Sequence, residues 1–566
     1  MIPSVLSNHV EQGIKDFLRT TFPVTTPFFS TILERLLNEP GNVFKGPYLD
    51  IQLPFQQSKG GTDYFPDLPM PFPPYLHQER SFDRLSGPNP ESTIVATGTG
   101  SGKTECFLYP ILDYCYKHRG EPGIKAILIY PMNALATDQA GRLAGLIHDS
   151  KLKGHVTAGI YVGQREKEPS MLMTADRLIS DKETIRLSPP DILLTNYKML
   201  DYLLIRPEDR SLWQHNSSDS LRFLVVDELH TFDGAQGSDL ACLIRRLKAR
   251  LDIPPKYLCG VGTSATLGSG EEQQEILEYA SAVFGETFNA SAVISESRLS
   301  AGEFLRKSST AQEDIVPPKK GRVLNPAEYN RYEDYVQAQY QLWFDEPVGE
   351  QKNFTDPAWH IELADKLKEH LFFQNLLKVL GGKIHGFDDL FIKLEKITKG
   401  LKNTGRPYRV NLLNSLLSLV SEARIKVVST NDDDSEKTAL RPFLAVRIQL
   451  WMRELRRMVA SVDIEPALRF ADDLNKEQLE THLPLVHCRE CGSMGWSGLK
   501  RKTSSEIRGN LQDFYYGFFS HSPQVVYLFP KTNHNDNTDA LPKVGMFYFC
   551  THCLHVTAQA NPVQCP

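Results

Sequence analysis

No run of eighteen apolar residues occurs in this 566-residue chain, which excludes an ordinary membrane-spanning helix from the sequence reading. Its first residues, MIPSVLSNHVEQGIKDFL, carry His, Glu and Asp where a secretory signal needs an unbroken apolar stretch, and no A-x-A-like cleavage site follows. Positive charge is not in excess: 63 Lys and Arg stand against 69 Asp and Glu, a formal net charge of -6. That balance excludes a globally basic nucleic-acid coat, so any contact with a polyanion has to come from a local basic surface. Repeats of fixed period and low-complexity tracts are also missing, which sets aside solenoids and disordered linkers. Cysteine is scarce, at nine residues. With no export signal the expected compartment is the cytoplasm, where thiols stay reduced, so the cysteines are expected as thiols or metal ligands.

What is present is the composition of a globular protein, 41% hydrophobic and 23% charged, and too long for a single core. Residues 1–70 alternate a short amphipathic start with Pro- and Gly-punctuated stretches and read as an N-terminal extension. From 71 to 295 the short apolar runs STIVAT, KAILIYP, DILLTN, FLVVDE and YLCGVGTSAT alternate with polar-faced helical patterns, which argues an α/β domain with a parallel sheet covered on both faces. Residues 296–480 open with a polar segment containing PPKKGR and then show long helical periodicities, HIELADKLKEHLFFQNLLKVL and RPFLAVRIQLWMRELRRMVA, predicting a mostly helical domain. The stretch 481–566 holds two C-x-x-C pairs separated by aromatic and β-branched segments, DFYYGFF, QVVYLF and GMFYFC, which predict a small β-layer.

Chemistry concentrates in TGTGSGKT. Gly98, Gly100 and Gly102 let backbone amides approach a polyphosphate at the positive end of the following helix. Lys103 would reach the β/γ-phosphates and Thr104 would ligate Mg²⁺. Thr97 stands where the strict G-x-x-x-x-G-K-[ST] pattern has its first glycine, so the loop is a variant, completed by Thr99 and Ser101. A phosphate loop needs carboxylates for the metal and the attacking water, and FLVVDELH places Asp227 and Glu228 at the carboxyl end of a buried strand. Asp227 is the expected Mg²⁺ ligand, and Glu228 the group that orients or deprotonates water.

TGTGSGKT, YPMNALATDQ, LLTNYKML, DELH and SAT stand in the order and at the approximate spacing of motifs I, Ia, Ib, II and III of superfamily 2 DEAD/DEAH-box helicases. Residues 71–295 resemble the first RecA-like lobe of that family. The resemblance implies an ATP-binding lobe in which Gln78 recognises adenine and Ser264 and Thr266 couple nucleotide state to strand separation. It implies further that Pro131, Asn133 and Gln139 of motif Ia and Thr195 and Asn196 of motif Ib line the path of a nucleic-acid backbone, positioning a strand without reading its sequence. DELHTFDGAQGSDLACLIRRL, RPFLAVRIQLWMRELRRMV and VHCRECGSMGW resemble the large bacterial helicases with a four-cysteine module, including those of Druantia- and DISARM-type anti-phage systems.

Cys488-x-x-Cys491 and Cys550-x-x-Cys553 have the spacing of two hooks on one tetrahedral Zn²⁺. Two unrelated redox or buried pairs are the alternative. Cys565 could extend the set, while Cys106, Cys115, Cys242 and Cys259 read as small buried hydrophobes. Between 441 and 457, Arg441, Arg447, Arg453, Arg456 and Arg457 meet a single acid, Glu454, with Trp451 among them, so Arg453, Arg456 and Arg457 are candidates to track a phosphate backbone as well as a solvated face.

A motor of this superfamily hydrolyses ATP between two lobes, and the second supplies arginines in a Q-x-x-G-R-x-G-R motif that residues 267–566 lack. The expectation is therefore the N-terminal portion of a DNA helicase or translocase of defence or repair, which binds ATP and, alone, hydrolyses it weakly. Its expected partners are DNA, a second lobe in cis or in trans, and other defence-system subunits. The competing expectation is a nucleotide-gated DNA-binding scaffold that recruits a nuclease without unwinding.

Overall fold

The computed structural model describes residues 2–98, 100–163, 168–265, 270–306, 320–345, 356–430, 436–531 and 545–557. Thr99, Thr266 and Cys565 lie outside the described residues. The chain forms two compact units that are not consecutive in sequence: residues 53–304 with 426–439, and residues 1–52 with 305–425 and 440–566.

The first unit is built on seven parallel strands. Their order across the sheet is Ala158–Tyr161, Ile192–Thr195, Ala126–Ile129, Phe223–Val226, Cys259–Ser264, Thr93–Ala96 and Val293–Ser295. All but the last are buried at every position, and Ala126–Ile129 and Phe223–Val226 read in sequence as unbroken apolar runs. Alternate side chains serve two cores: Ile127, Ile129, Leu224 and Val226 pack on one side, Ala126, Leu128, Phe223 and Val225 on the other. Parallel strands need crossover helices, and the sheet carries the loops that follow its strands along one rim. The phosphate-loop strand Thr93–Ala96 and the acidic-box strand Phe223–Val226 flank Cys259–Ser264, which brings three distant segments to that rim.

The second unit mixes helices and antiparallel sheet. Helices Tyr332–Phe344, Pro357–Glu369, Leu371–Leu380, Phe387–Ile397 and Arg406–Glu422 agree with the helical reading of that stretch. RPFLAVRIQLWMRELRRMVA does not: Ala445–Met452 and Met458–Ser461 are strands. Val446, Ile448, Leu450 and Met452 alternate with Arg447, Gln449 and Trp451, a period of two, and Ala445–Met452 pairs antiparallel with Phe44–Gln52. The N-terminal segment is thereby part of this unit's sheet. DFYYGFF also departs from the β reading, lying in helix Leu511–Phe519, where Asn510 accepts the Asp513 amide as N-cap and buried Gly517 packs against Leu499. The rest of the cysteine stretch is antiparallel, with Met494–Lys500 paired to His482–His487, Ile507–Arg508 and Val525–Leu528. Among the described residues no helix is long and apolar enough to cross a membrane.

Candidate active site

The phosphate loop leaves strand Thr93–Ala96 and enters helix Lys103–Lys117 through two left-handed glycines, Gly100 (φ +80°) and Gly102 (φ +75°). Thr97 and Ser101 are buried beneath it, joined by a 2.8 Å hydroxyl–hydroxyl bond that closes the turn. Helix Leu76–Leu85 holds the loop from behind. His77 Nε2 donates to the Ser101 carbonyl at 2.8 Å, Gln78 Nε2 to the Gly102 carbonyl at 3.1 Å, and the Ser81 hydroxyl to the Cys106 carbonyl at 2.9 Å. With these carbonyls drawn toward that helix, the first amides of helix Lys103–Lys117, which have no partner within it, are left for an anion. Glycine is favoured at 102 by its φ, and a side chain there would put its Cβ 2.3 Å from Gln78 Nε2 and so displace the Gln78 amide.

The acidic box lies across the rim from the loop. Lys103 Nζ and Glu228 Oε1, 125 residues apart in sequence, form a 3.1 Å ion pair. Asp227 accepts a hydrogen bond from the Thr263 hydroxyl, whose oxygen in turn accepts from the Glu228 amide at 2.9 Å. Burial pushes the Asp227 carboxyl above the usual carboxylate range, against the pull of the Thr263 hydrogen bond, so this site gains from a cation. Glu228 sits in the left-handed region (φ +50°), a conformation that costs a residue with a side chain about 1–2 kcal/mol and turns its carboxylate toward Lys103. His230 links the box to motif III: its Nδ1 lies 3.5 Å from Glu228 Oε2 and 3.3 Å from Ser264 Oγ. Lys103, Thr104, Asp227 and Glu228 are thus side chains of the kind that hold a magnesium–nucleotide complex, Thr104 following Lys103 in the first helical turn.

Motifs Ia and Ib also meet. Asn196 accepts the Met199 amide as the cap of helix Tyr197–Ile205 and donates to Asn133 Oδ1 at 2.7 Å. Pro131 and Asn133 are half-buried beside exposed Met132, at the start of helix Asn133–His148. The Gln139 side-chain oxygen is buried without a hydrogen-bond partner. Thr195 points inward, its hydroxyl donating to the Tyr161 carbonyl at 2.7 Å from a fully buried position. Gln78 spends its amide on the loop and on the Tyr75 amide, which donates to its Oε1 at 2.9 Å.

Sequence reasoning passed over four groups here. Thr263 was visible within GTSAT and His77 beside Gln78, but Glu296 and Arg298 carry no motif signal. Glu296 Oε2 accepts the Gly98 amide at 3.0 Å, and Arg298 Nε donates to Glu296 Oε1 at 2.7 Å.

In the second unit, Arg453, Arg456 and Arg457 each face an acid. Arg453 makes a two-pronged bridge to Asp473 at 2.6 and 2.9 Å, Arg456 lies 3.0 Å from Glu454 and Arg457 2.9 Å from Asp472. Asp472 and Asp473, from outside the 441–457 segment, offset part of its local charge excess, while Glu454 lies within it. The cysteine hooks share one backbone turn. The Gly492 amide donates to the Cys488 carbonyl and the Leu554 amide to the Cys550 carbonyl, while the Cys488 and Cys550 amides donate to the carbonyls of Ser493 and His555. Gly492 (φ +71°) and Leu554 (φ +54°) take the left-handed conformation at matching positions. Yet among the described residues no three His, Cys, Asp or Glu side chains converge as a metal site. Cys106, Cys115 and Cys259 are buried as expected, but Cys242 is exposed, because helix Gly234–Arg250 buries Leu240, Leu243, Ile244 and Leu247 instead.

Residues 75–275 match the DEAD/DEAH box helicase family. The chain is 30% identical to the Druantia protein DruE of Escherichia coli (strain UMEA 4076-1), over 36% of this chain and 16% of that protein. It is 29% identical to the uncharacterized ATP-dependent helicase YprA of Bacillus subtilis (strain 168), over 36% of this chain and 24% of that protein. The chain thus aligns with well under a third of either relative's length. Among solved structures, DUF1998 helicase MrfA bound to DNA covers 76% of this chain with 74% of its own, at 16% identity and a TM-score of 0.31. A phosphate loop, an acidic box and the strand between them, assembled within the matched residues, make this part of the chain a DEAD/DEAH box helicase domain.

Proposed function

We propose that this chain carries the ATP site of a DNA helicase or translocase acting in anti-phage defence or DNA repair in the cytoplasm. The observation that carries the reading is the Lys103–Glu228 pair, which joins the phosphate loop to the acidic box beside half-buried Asp227. Bound ATP would displace Glu228 from Lys103, leaving the lysine to the terminal phosphates and the carboxylate to a water. Thr104 and Asp227 are the residues that would hold Mg²⁺, which neutralises phosphate charge when bound. Asn133 and Asn196, joined at 2.7 Å, are the motif Ia and Ib groups best placed to touch a sugar-phosphate backbone; Thr195 would act by supporting the strand end.

The DruE likeness supports the defence assignment, and the DNA in the MrfA complex belongs to that protein. With no Q-x-x-G-R-x-G-R motif, the chain alone would bind ATP and turn it over slowly, completed by a second lobe elsewhere. Cys488, Cys491, Cys550 and Cys553 would hold one Zn²⁺: each hook already has the turn that presents two thiols, and closing the site requires the hooks to approach.

The test is phosphate release with and without single-stranded DNA, on the chain joined to its second lobe. A DNA-stimulated rate that falls by on the order of 10³-fold in Lys103→Ala and Glu228→Gln is expected. A rate that survives both substitutions would sink the reading.

A further inference from the structure

The two ends of the phosphate loop are tied together by residues that belong to no motif. Glu296, just beyond the edge strand Val293–Ser295, accepts the amide of Gly98 at 3.0 Å, at the loop's opening. Its second oxygen accepts from Arg298 Nε at 2.7 Å, and Arg298 Nη1 donates to the Leu53 carbonyl at 2.8 Å. The Arg298 guanidinium lies 3.8 Å from the centroid of the Phe55 ring. Phe55 packs edge-on to His77 at 5.3 Å and against Tyr75 at 4.9 Å, and His77 holds the Ser101 carbonyl near the loop's close. Backbone bonds from Gln56 to Ser297 and from Leu299 to Pro54 lock the two flanking segments side by side. Contacts therefore run in a circuit, Gly98–Glu296–Arg298–Phe55–His77–Ser101, around the back of the loop. Arg298 and Glu296 are only 20% and 15% exposed, so the bond between them is shielded from water and worth more than a surface pair.

We infer that Glu296, held by Arg298, is a positioning residue of the nucleotide site: it anchors the opening amide of the phosphate loop, so that the loop is shaped before a nucleoside triphosphate arrives. The inference rests on the ATP-site reading above. Glu296 touches no phosphate in this role, since a carboxylate would repel one; it works through Gly98. A brace of this kind acts on the bound ground state and the transition state alike. Its loss raises KM and leaves kcat nearly unchanged, unlike loss of Lys103 or Glu228. One charge-assisted hydrogen bond to a part-buried amide corresponds to roughly a tenfold change in affinity.

The experiment compares wild type, Glu296→Ala, Arg298→Ala and Lys103→Ala by equilibrium binding of a fluorescent ATP analogue, by ATP turnover of the lobe-completed protein, and by amide hydrogen exchange without nucleotide. Glu296→Ala is expected to weaken binding about tenfold at near-constant kcat and to speed exchange at Gly98; Arg298→Ala shifts both the same way by less. Glu296→Ala binding as wild type, or unchanged Gly98 exchange, overturns the brace while leaving the ATP site standing. Wild type that binds no analogue overturns the ATP-site reading and the brace's role with it, and the Gly98 exchange then reports a structural bond alone. Should Glu296→Ala fail to fold, Arg298→Ala decides, an unchanged affinity and exchange counting against the inference.

Discussion

The phosphate loop and the cysteine hooks are both short glycine- or turn-dependent motifs, yet the molecule treats them differently. The loop's chemistry is assembled: Lys103 meets Glu228 across 125 residues because one rim of a parallel sheet collects the ends of its strands. The hooks are each formed locally, by the same pair of backbone bonds, and do not converge with a third ligand among the described residues. The difference lies in what supplies the long-range order. A seven-stranded sheet with a core on both faces positions its loops before any ligand binds. A small antiparallel layer, flanked by helix Leu511–Phe519 with Tyr516 and Phe519 exposed, has less buried surface to do so and would take its order from a bound metal.

That contrast is broken most directly by testing for the proposed zinc. Purified protein should contain about one zinc per chain, lost in Cys488→Ser and in Cys550→Ser alike, with several kcal/mol of stability in the second unit. Zinc retained in either single variant would mean the hooks do not share an ion.

A second probe exploits His370, buried in the helical part of the same unit. Burial holds its imidazole down at about 4, and its neutral Nδ1 accepts the Phe372 amide as the cap of helix Leu371–Leu380. The unfolded chain binds this proton near pH 6.5 and the folded one only near 4, so stability is present above pH 6.5 and is lost as pH falls through that window. The loss should reach about 3 kcal/mol in denaturant melts, and His370→Asn, which can still cap, should remove it. An equal acid slope in that variant would discount His370.

In the ATP unit, Gly102→Ala should cost about 1–2 kcal/mol in thermal melts, from its positive φ, and weaken nucleotide binding by displacing Gln78. The smallest expected effect is Asn196→Ala, about 1 kcal/mol, through loss of the helix cap and of the tie to Asn133. If Asn196 contacts nucleic acid, the same variant loses DNA affinity beyond what its stability explains.

How legible each part was in the sequence follows from the range of the interactions that decide it. The parallel strands were plain, because a strand buried on both faces is a continuous apolar run, as in FLVV and AILI. The segment 441–460 was misread as helix because LWMRELRRMV carries strong helix formers. What overrides them is Phe44–Gln52, distant in sequence, whose edge Ala445–Met452 completes. DFYYGFF was misread in the opposite sense, since aromatic residues favour strands in general while Asn510 and Gly517 decide this case. Cys242 looked buried from its apolar neighbours, but helix phase turns it outward.

By itself, the sequence determined the chemistry available: a glycine loop that must take left-handed turns, a lysine and a threonine at a helix start, two carboxylates after a buried strand, and two thiol hooks. Local backbone sterics and hydrogen-bond capacity settle those features within a few residues, so they survive in any context. Only the tertiary structure decided which of them face one another. The pairing of Lys103 with Glu228, the seat of Thr263 beneath Asp227 and the Glu296–Arg298 brace behind Gly98 all depend on strand order. Strand order is set by burying two apolar faces at once, a sum over many weak contacts that no single motif encodes.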